Sequence, residues 1–160
     1  MKKLILLLLL AVPALANAQT EIPKGSDKIV VVNNRTAADN FILAKQILAD
    51  ESIEILSQDK DIFQIKTGRI RATDNGSYSY LINCRDGKVT VTGTWGTTNG
   101  IQVGFLTQSP STYAVTYKGG QKELFNRMNE FAKQLGDDVQ YVVSYTAPKP
   151  RKNNDDVYGK

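Results

Sequence analysis

Apolar and polar residues alternate along much of the chain with the two-residue period of β-strands. The clearest stretch places Val89, Val91 and Trp95 on one face and Lys88, Thr90, Thr92 and Thr94 on the other. This alternation predicts a strand with one buried face and one face in water. Asp86-Gly87 precedes the stretch and is typical of a type I′ hairpin turn, which needs a positive φ at both positions.

Two other segments repeat apolar residues at helical spacing. The first follows Thr36, an N-cap candidate with Asp39 three residues later, and we expect this helix to end near Asp50. The second covers residues 121–135, and Gly136 suits the position after the last helical turn. Each segment has a broad apolar stripe, so both helices are expected to pack on the same face of a sheet.

Strands are predicted between and around these helices. Besides 88–95, the segments with strand character are 28–33, 53–55, 63–67, 78–84, 101–105, 113–117 and 139–145. A long run of strands between two helices predicts an α+β fold, with an antiparallel sheet of about six to eight strands and both helices on one face. The other face is then polar and in contact with water.

The N-terminus has the three parts of a secretory signal peptide. Lys2 and Lys3 precede nine consecutive apolar residues at 4–12, and small residues follow at Ala16 and Ala18. The predicted organisation is a signal peptide (1–18), a flexible lead (19–27), a single α+β domain (28–146) and a disordered tail (147–160). Cleavage after Ala18, or alternatively after Ala16, would release a periplasmic or extracellular protein that is not embedded in the membrane.

Composition excludes several kinds of site. The absence of histidine excludes Ser–His and Cys–His nucleophile pairs and histidine-ligated metals, and a single cysteine excludes an internal disulfide. The net charge is +4, and it becomes +2 once Lys2 and Lys3 are removed, with 18 basic and 16 acidic side chains. This near balance does not indicate a nucleic-acid partner. We expect no metal and no cofactor.

Several of these segments also fit a known pattern. Residues 41–70 read as a helix with an acidic end, a strand, an acidic turn and a second strand that closes on Lys66 and Thr67. The hairpin at 85–88, which leads to Trp95, and the late helix at 123–135 follow. Together they resemble a family of exported bacterial domains of unknown function with a TATA-binding-protein-like fold. The resemblance implies that fold and no activity, and DNA binding is not transferred from it.

Candidate chemistry is sparse. The acidic pairs are Glu51 with Glu54, Asp59 with Asp61, and Asp137 with Asp138. All lie beside predicted turns or element ends, where acids are common, and nothing in the sequence sets the distance between two carboxylates. Cys84 is read as a small buried residue on the apolar face of its strand, with a reactive thiol as the alternative.

The polar sheet face supplies the binding candidates. They are Lys66, Asn83, Lys88, Thr90 and Thr92, with Trp95 at the strand end beside the Gly- and Thr-rich loop 96–110. An ordinary solvated face would carry the same residues. If Trp95 is exposed, the loop becomes the best binding edge, because long loops on a rigid sheet often carry function.

The resulting hypothesis is an exported, non-catalytic domain that binds an envelope protein, a peptide or a glycan. One alternative is a hydrolase or isomerase that uses carboxylates or tyrosines in a loop-lined cleft. Another is a structural subunit that pairs through the edge strand predicted at 139–145.

Overall fold

Eight antiparallel strands form one sheet in the described part of the chain, and two helices pack on one of its faces. The computed structural model describes residues 21–73, 76–97, 102–103, 106–107 and 112–144. The helices are α1 (Ala37–Asp50) and α2 (Lys122–Gln134). The strands are β1 (Lys28–Val32), β2 (Ile55–Asp59), β3 (Gln64–Thr67), β4 (Ile70–Thr73), β5 (Gly76–Arg85), β6 (Lys88–Thr97), β7 (Gln102–Val103), β8 (Leu106–Thr107), β9 (Thr112–Ala114) and β10 (Asp138–Val142). The predicted signal peptide and tail lie outside these residues.

The sheet is built around the long hairpin of β5 and β6. Its strand order is β10-β1-β6-β5-β3-β2, with β4 also pairing with β5 and β9 also pairing with β6. Every pairing is antiparallel, and β7 with β8 forms a separate two-stranded ladder. The predicted α+β class, with an antiparallel sheet and both helices on one face, is confirmed.

One core joins the two helices to one face of the sheet. Its fully buried large side chains are Phe125, Phe131, Ile29, Leu48, Ile65, Ile82, Met128, Leu135, Val31, Val89, Val91 and Val115. The alternation predicted for β6 is confirmed at Val89 and Val91, which are fully buried. On β5, the alternating residues Tyr78, Tyr80, Ile82 and Cys84 are buried as well. We call this covered side the inner face, and the side without helices the outer face.

Local signals placed α1 correctly. The Thr36 hydroxyl accepts a hydrogen bond from the Asp39 amide at 3.1 Å and donates one to the Asp39 carboxylate at 2.7 Å. This satisfies one of the backbone donors that the first helical turn leaves free. Helix α2 lies within one residue of its predicted bounds at each end.

The β5–β6 turn is not the predicted type I′ turn. Gly87 has a φ of 73°, but Asp86 is not among the residues with a positive φ. This pattern is that of a type II turn, which needs glycine at its third position. Neighbouring chain holds the turn in place. The Asp86 carboxylate accepts from the Ala37 amide at 2.7 Å, and Gly87 exchanges backbone hydrogen bonds with Asn33 and Arg35.

Several strand bounds also differ from the prediction. Strand β4 was not foreseen, since its four residues Ile70–Thr73 are too few to show a clear period. The predicted strand at 113–117 is paired only over Thr112–Ala114. The last strand ends at Val142, where the Asp27 amide donates to the Val142 carbonyl and the Asp27 carboxylate accepts from the Ser144 amide.

Residues 21–27, expected as a flexible lead, make defined contacts with the domain. Ser26 is fully buried, and its amide and hydroxyl both donate to the Pro23 carbonyl. Gly25 and Ser26 also exchange backbone hydrogen bonds with Tyr117, and Ile22 packs against the core. The packed domain therefore starts before Lys28.

Candidate binding cleft on the outer face

The outer face carries two cross-strand rows of side chains. One row is Gln140, Val30, Thr90, Asn83 and Gln64, and the next is Val142, Lys28, Thr92, Leu81 and Lys66. Because side chains alternate between faces, the buried residues between these positions point to the helices instead. The predicted grouping of Lys66, Asn83, Thr90 and Thr92 on one face is therefore what the register shows.

Beyond these rows, the flanking strands leave a gap beside the hairpin. Strand β3 pairs with β5 from Leu81 to Asn83, whereas β4 pairs with it from Gly76 to Tyr78. Ser79 and Tyr80 lie between these two ladders. On the other side, β1 pairs with β6 only as far as Thr92, and β9 takes over from Thr94 onward.

The β3–β4 corner shapes one wall of this gap. The Thr67 hydroxyl accepts from the Tyr80 amide at 2.8 Å and donates to the Gly68 carbonyl at 3.0 Å, so a side chain replaces the missing ladder bond. Gly68 lies close to Glu54, and an added Cβ would come within 2.9 Å of the Glu54 carboxylate. A side chain at position 68 would therefore require the exposed Glu54 side chain to move, and Arg69 follows directly after this corner.

The gap opens as a cleft of about 260 Å³ on the outer face. Its lining residues are Leu56, Lys66, Thr67, Arg69, Ser77, Tyr78, Ser79, Thr94, Trp95, Gly96 and Thr112. Two are cations and none is an acid. Ser79 and Thr94 face each other across β5 and β6, and their hydroxyls share a hydrogen bond of 2.9 Å. We call this the outer cleft; it has a cationic wall and hydroxyl groups on its floor.

The predicted binding residues divide into three groups. Lys66 and Trp95 line the outer cleft. Asn83, Thr90 and Thr92 lie in the rows beside it, and Asn83 accepts a 2.6 Å hydrogen bond from Gln64. Lys88 is exposed at the other end of the hairpin, next to the turn.

Sequence reasoning missed Arg69 as a member of this site. Arg69 lies in the two-residue connection between β3 and β4, where no alternation exists to assign it to a face. Thr94 was foreseen on the polar face of its strand, but neither Thr94 nor Ser79 was foreseen as part of a cleft floor. Which side chains surround these two residues in the cleft depends on the pairing of strands that are far apart in the sequence.

Trp95 is half-buried rather than exposed. It belongs to the inner face, packs against the core, and its ring lies 6.0 Å from that of Tyr113, which is 54% exposed. Trp95 also lines a second cleft of about 350 Å³ on the helix side, together with Leu124 and Arg127. Most of the loop 96–110, the predicted binding edge, lies outside the described residues.

Groups suited to catalysis do not converge in the described part of the chain. The outer cleft has no carboxylate, and the helix-side cleft has one, Glu123, which forms an ion pair with Arg127 at 3.0 Å. Cys84 is fully buried, as predicted, and burial raises the pKa of its thiol to about 11. Burial also raises the pKa of Tyr80, so both groups stay protonated at neutral pH.

Two further features are absent from the described residues. No three acidic, cysteine or histidine side chains come together there in a way that could hold a metal ion. Neither of the two helices in that part of the chain is long and apolar enough to cross a membrane.

Comparison with known proteins yields a structural neighbour but no family. No protein-family model and no curated protein matches the chain. One similar solved structure is a TBP-like protein from Parabacteroides distasonis, at 13% identity and a TM-score of 0.36, covering 71% of this chain and 96% of that one. The α+β class itself rests on the strand order and helix placement described here.

Proposed function

We propose that this protein is an exported, non-catalytic binding domain of the TBP-like exported family, and that its outer sheet face is the binding surface. The observation that carries the proposal is the outer cleft. It is a concave site on the helix-free face, and its lining includes two cations and several hydroxyl groups but no carboxylate.

Charge at the cleft supports the same reading. The ion pair among the described residues joins Arg127 and Glu123 on α2, so no described acid pairs with Lys66 or Arg69. Glu54 lies close to Gly68 but is not among the residues that line the cleft. Within the described part of the chain, neither cation has a carboxylate partner, which leaves both able to bind an anionic ligand.

Export is supported by the N-terminal pattern of lysines, apolar run and small residues. The direct test is to express the full chain, fractionate the cells, and sequence the N-terminus of the recovered protein. A periplasmic or secreted product beginning at Gln19 or Asn17 is expected. Recovery of the intact chain from the cytoplasm would contradict the export part of the proposal.

The binding part is tested by blocking the cleft. Thr94→Trp places a bulky ring on the exposed floor, and Asn126→Trp makes the same addition on the exposed side of α2 as a matched control. Each purified variant is immobilised and exposed to the cell-envelope fraction of the source organism. Loss of a stoichiometric ligand from the Thr94 variant alone is expected. Equal capture by both variants would place binding elsewhere.

A further inference from the structure

We infer that the outer cleft takes one acidic unit of a saccharide, with the anionic group held by Lys66 and Arg69 and the ring hydroxyls by the cleft floor. This inference rests on the proposed function and specifies its ligand. It follows from three properties of the cleft: the sign of its charge, the chemistry of its floor and its size.

The charge selects an anion. Lys66 and Arg69 are exposed, line the same cleft and have no carboxylate partner among the described residues. A guanidinium beside an ammonium can hold a carboxylate or sulfate through charge-assisted hydrogen bonds. A neutral ligand would leave both cations without a partner in the complex.

The floor selects a ligand rich in hydroxyl groups. Ser77, Ser79, Thr94 and Thr112 line the cleft, and each hydroxyl can both donate and accept. Sugar hydroxyls have the same dual capacity, so they can join the Ser79–Thr94 pair without leaving an unsatisfied group. The exposed Leu56 side chain supplies an apolar contact at the wall for the face of a ring.

The volume of the cleft and the backbone hydrogen bonds of the strands beneath it favour a saccharide over an acidic peptide. At about 260 Å³ the cleft lies below the usual volume of sites for drug-sized ligands, so it suits one ring of a longer chain. Peptides that add to a sheet need free backbone groups. Here β5 and β6 pair with each other along their whole length, and the Tyr80 amide in the gap is bound by Thr67.

The test is an NMR titration of the full protein, exported and purified, with trigalacturonate and with its methyl ester. The two probes share every ring hydroxyl and differ in charge. A site of a few exposed contacts predicts a Kd on the order of 1 mM for trigalacturonate. We expect amide shifts at Lys66, Arg69, Ser79 and Thr94, and no comparable binding of the ester.

Variants separate the cleft from charge in general. Lys66→Gln and Arg69→Gln are each expected to weaken binding about threefold to fivefold, since an exposed ion pair contributes that much. Lys133→Gln removes an equal charge from the exposed side of α2, away from the proposed binding surface, and is expected to leave the Kd unchanged. Replacing trigalacturonate by a sulfated trisaccharide tests which anionic group is preferred.

Each contrary result has a distinct meaning. Equal binding of acid and ester at the cleft overturns the charge selection but leaves the proposed binding surface intact. Tighter binding of hexaglutamate at the same residues overturns the saccharide class. Shifts confined to Lys88 and Lys28 overturn the cleft as the site. No shift with any probe overturns the inference, and the Thr94→Trp capture experiment then decides the proposed function separately.

Discussion

Replacing Asn40 by alanine is expected to lower the free energy of unfolding by about 2–3 kcal/mol. Asn40 lies on α1 and is fully buried, although it is polar. Its side-chain amide donates to the Arg85 carbonyl at 3.0 Å and to the Asn33 side-chain oxygen at 3.3 Å. Its own oxygen accepts from the Asn33 amide at 2.8 Å. The residue thus ties α1 to β1 and to the end of β5.

The magnitude follows from what the substitution removes. A carbonyl that loses its buried donor costs about 1–3 kcal/mol, and the reciprocal pair with Asn33 contributes about 1 kcal/mol more. The higher helix propensity of alanine offsets about 0.6 kcal/mol of this loss in the free energy of unfolding.

Urea unfolding, followed by the fluorescence of the single tryptophan Trp95, measures the change. Asn126→Ala on the exposed side of α2 is the matched control and is expected to raise the free energy of unfolding by about 0.6 kcal/mol, from helix propensity alone. Both variants should keep the wild-type m-value. A difference between them smaller than about 0.5 kcal/mol would refute the buried-network reasoning.

Three further predictions concern the core and the β3–β4 corner. Gly93→Ala places a Cβ 3.1 Å from the Val115 side chain and 3.2 Å from the Met128 sulfur of α2. This crowding should lower the free energy of unfolding, measured by thermal unfolding, by about 1 kcal/mol, after the stabilisation from reduced chain entropy is included. Gly120→Ala, with nothing within 4 Å, should be neutral. Thr67→Val removes the hydroxyl that accepts from the Tyr80 amide, so the Tyr80 amide hydrogen should exchange with solvent faster, as measured by NMR. Amides of α2 should keep their relative protection. Unchanged exchange at Tyr80 would rule out the Thr67 hydroxyl as its partner. Burial raises the pKa of the Cys84 thiol from 9.0 to about 11, so as the pH rises this thiol ionises in the unfolded chain before it ionises in the folded one. Between these pH values, the free energy of unfolding of the wild type should therefore fall by about 2–3 kcal/mol more than that of Cys84→Ala. Parallel curves for the two proteins in urea titrations would contradict this.

Local patterns in the sequence were enough to predict the helices and the main hairpin. The Thr36 cap and the apolar stripe of α1 depend on residues three and four positions apart, and the faces of β5 and β6 depend on residues two apart. Such short-range periods determine which side of an element is buried, whatever it packs against. They also explain why Cys84 could be assigned to the core.

Contacts between residues far apart in the sequence account for the features that the sequence predicted wrongly or did not reveal. The turn at Asp86 and Gly87 is held by residues of the β1–α1 connection, and this overrides the preference of the dipeptide for a type I′ turn. Asn40 lies on the buried stripe of α1 with Phe41 and Ala44, but the acceptor that satisfies its side-chain amide is the Arg85 carbonyl, 45 positions away. Neither contact leaves a local signal.

The sequence by itself determined that this protein has a sheet with one apolar and one polar face, because side-chain alternation is a property of each strand alone. Only the tertiary structure decided that the polar face holds a cleft. That cleft exists because neither β3 nor β4 pairs with β5 at Ser79 and because Arg69, just after the corner at Gly68, lines the same cleft as Lys66. Strand pairing is set by the packing of the whole core, so the position of the site follows from the fold rather than from any single segment.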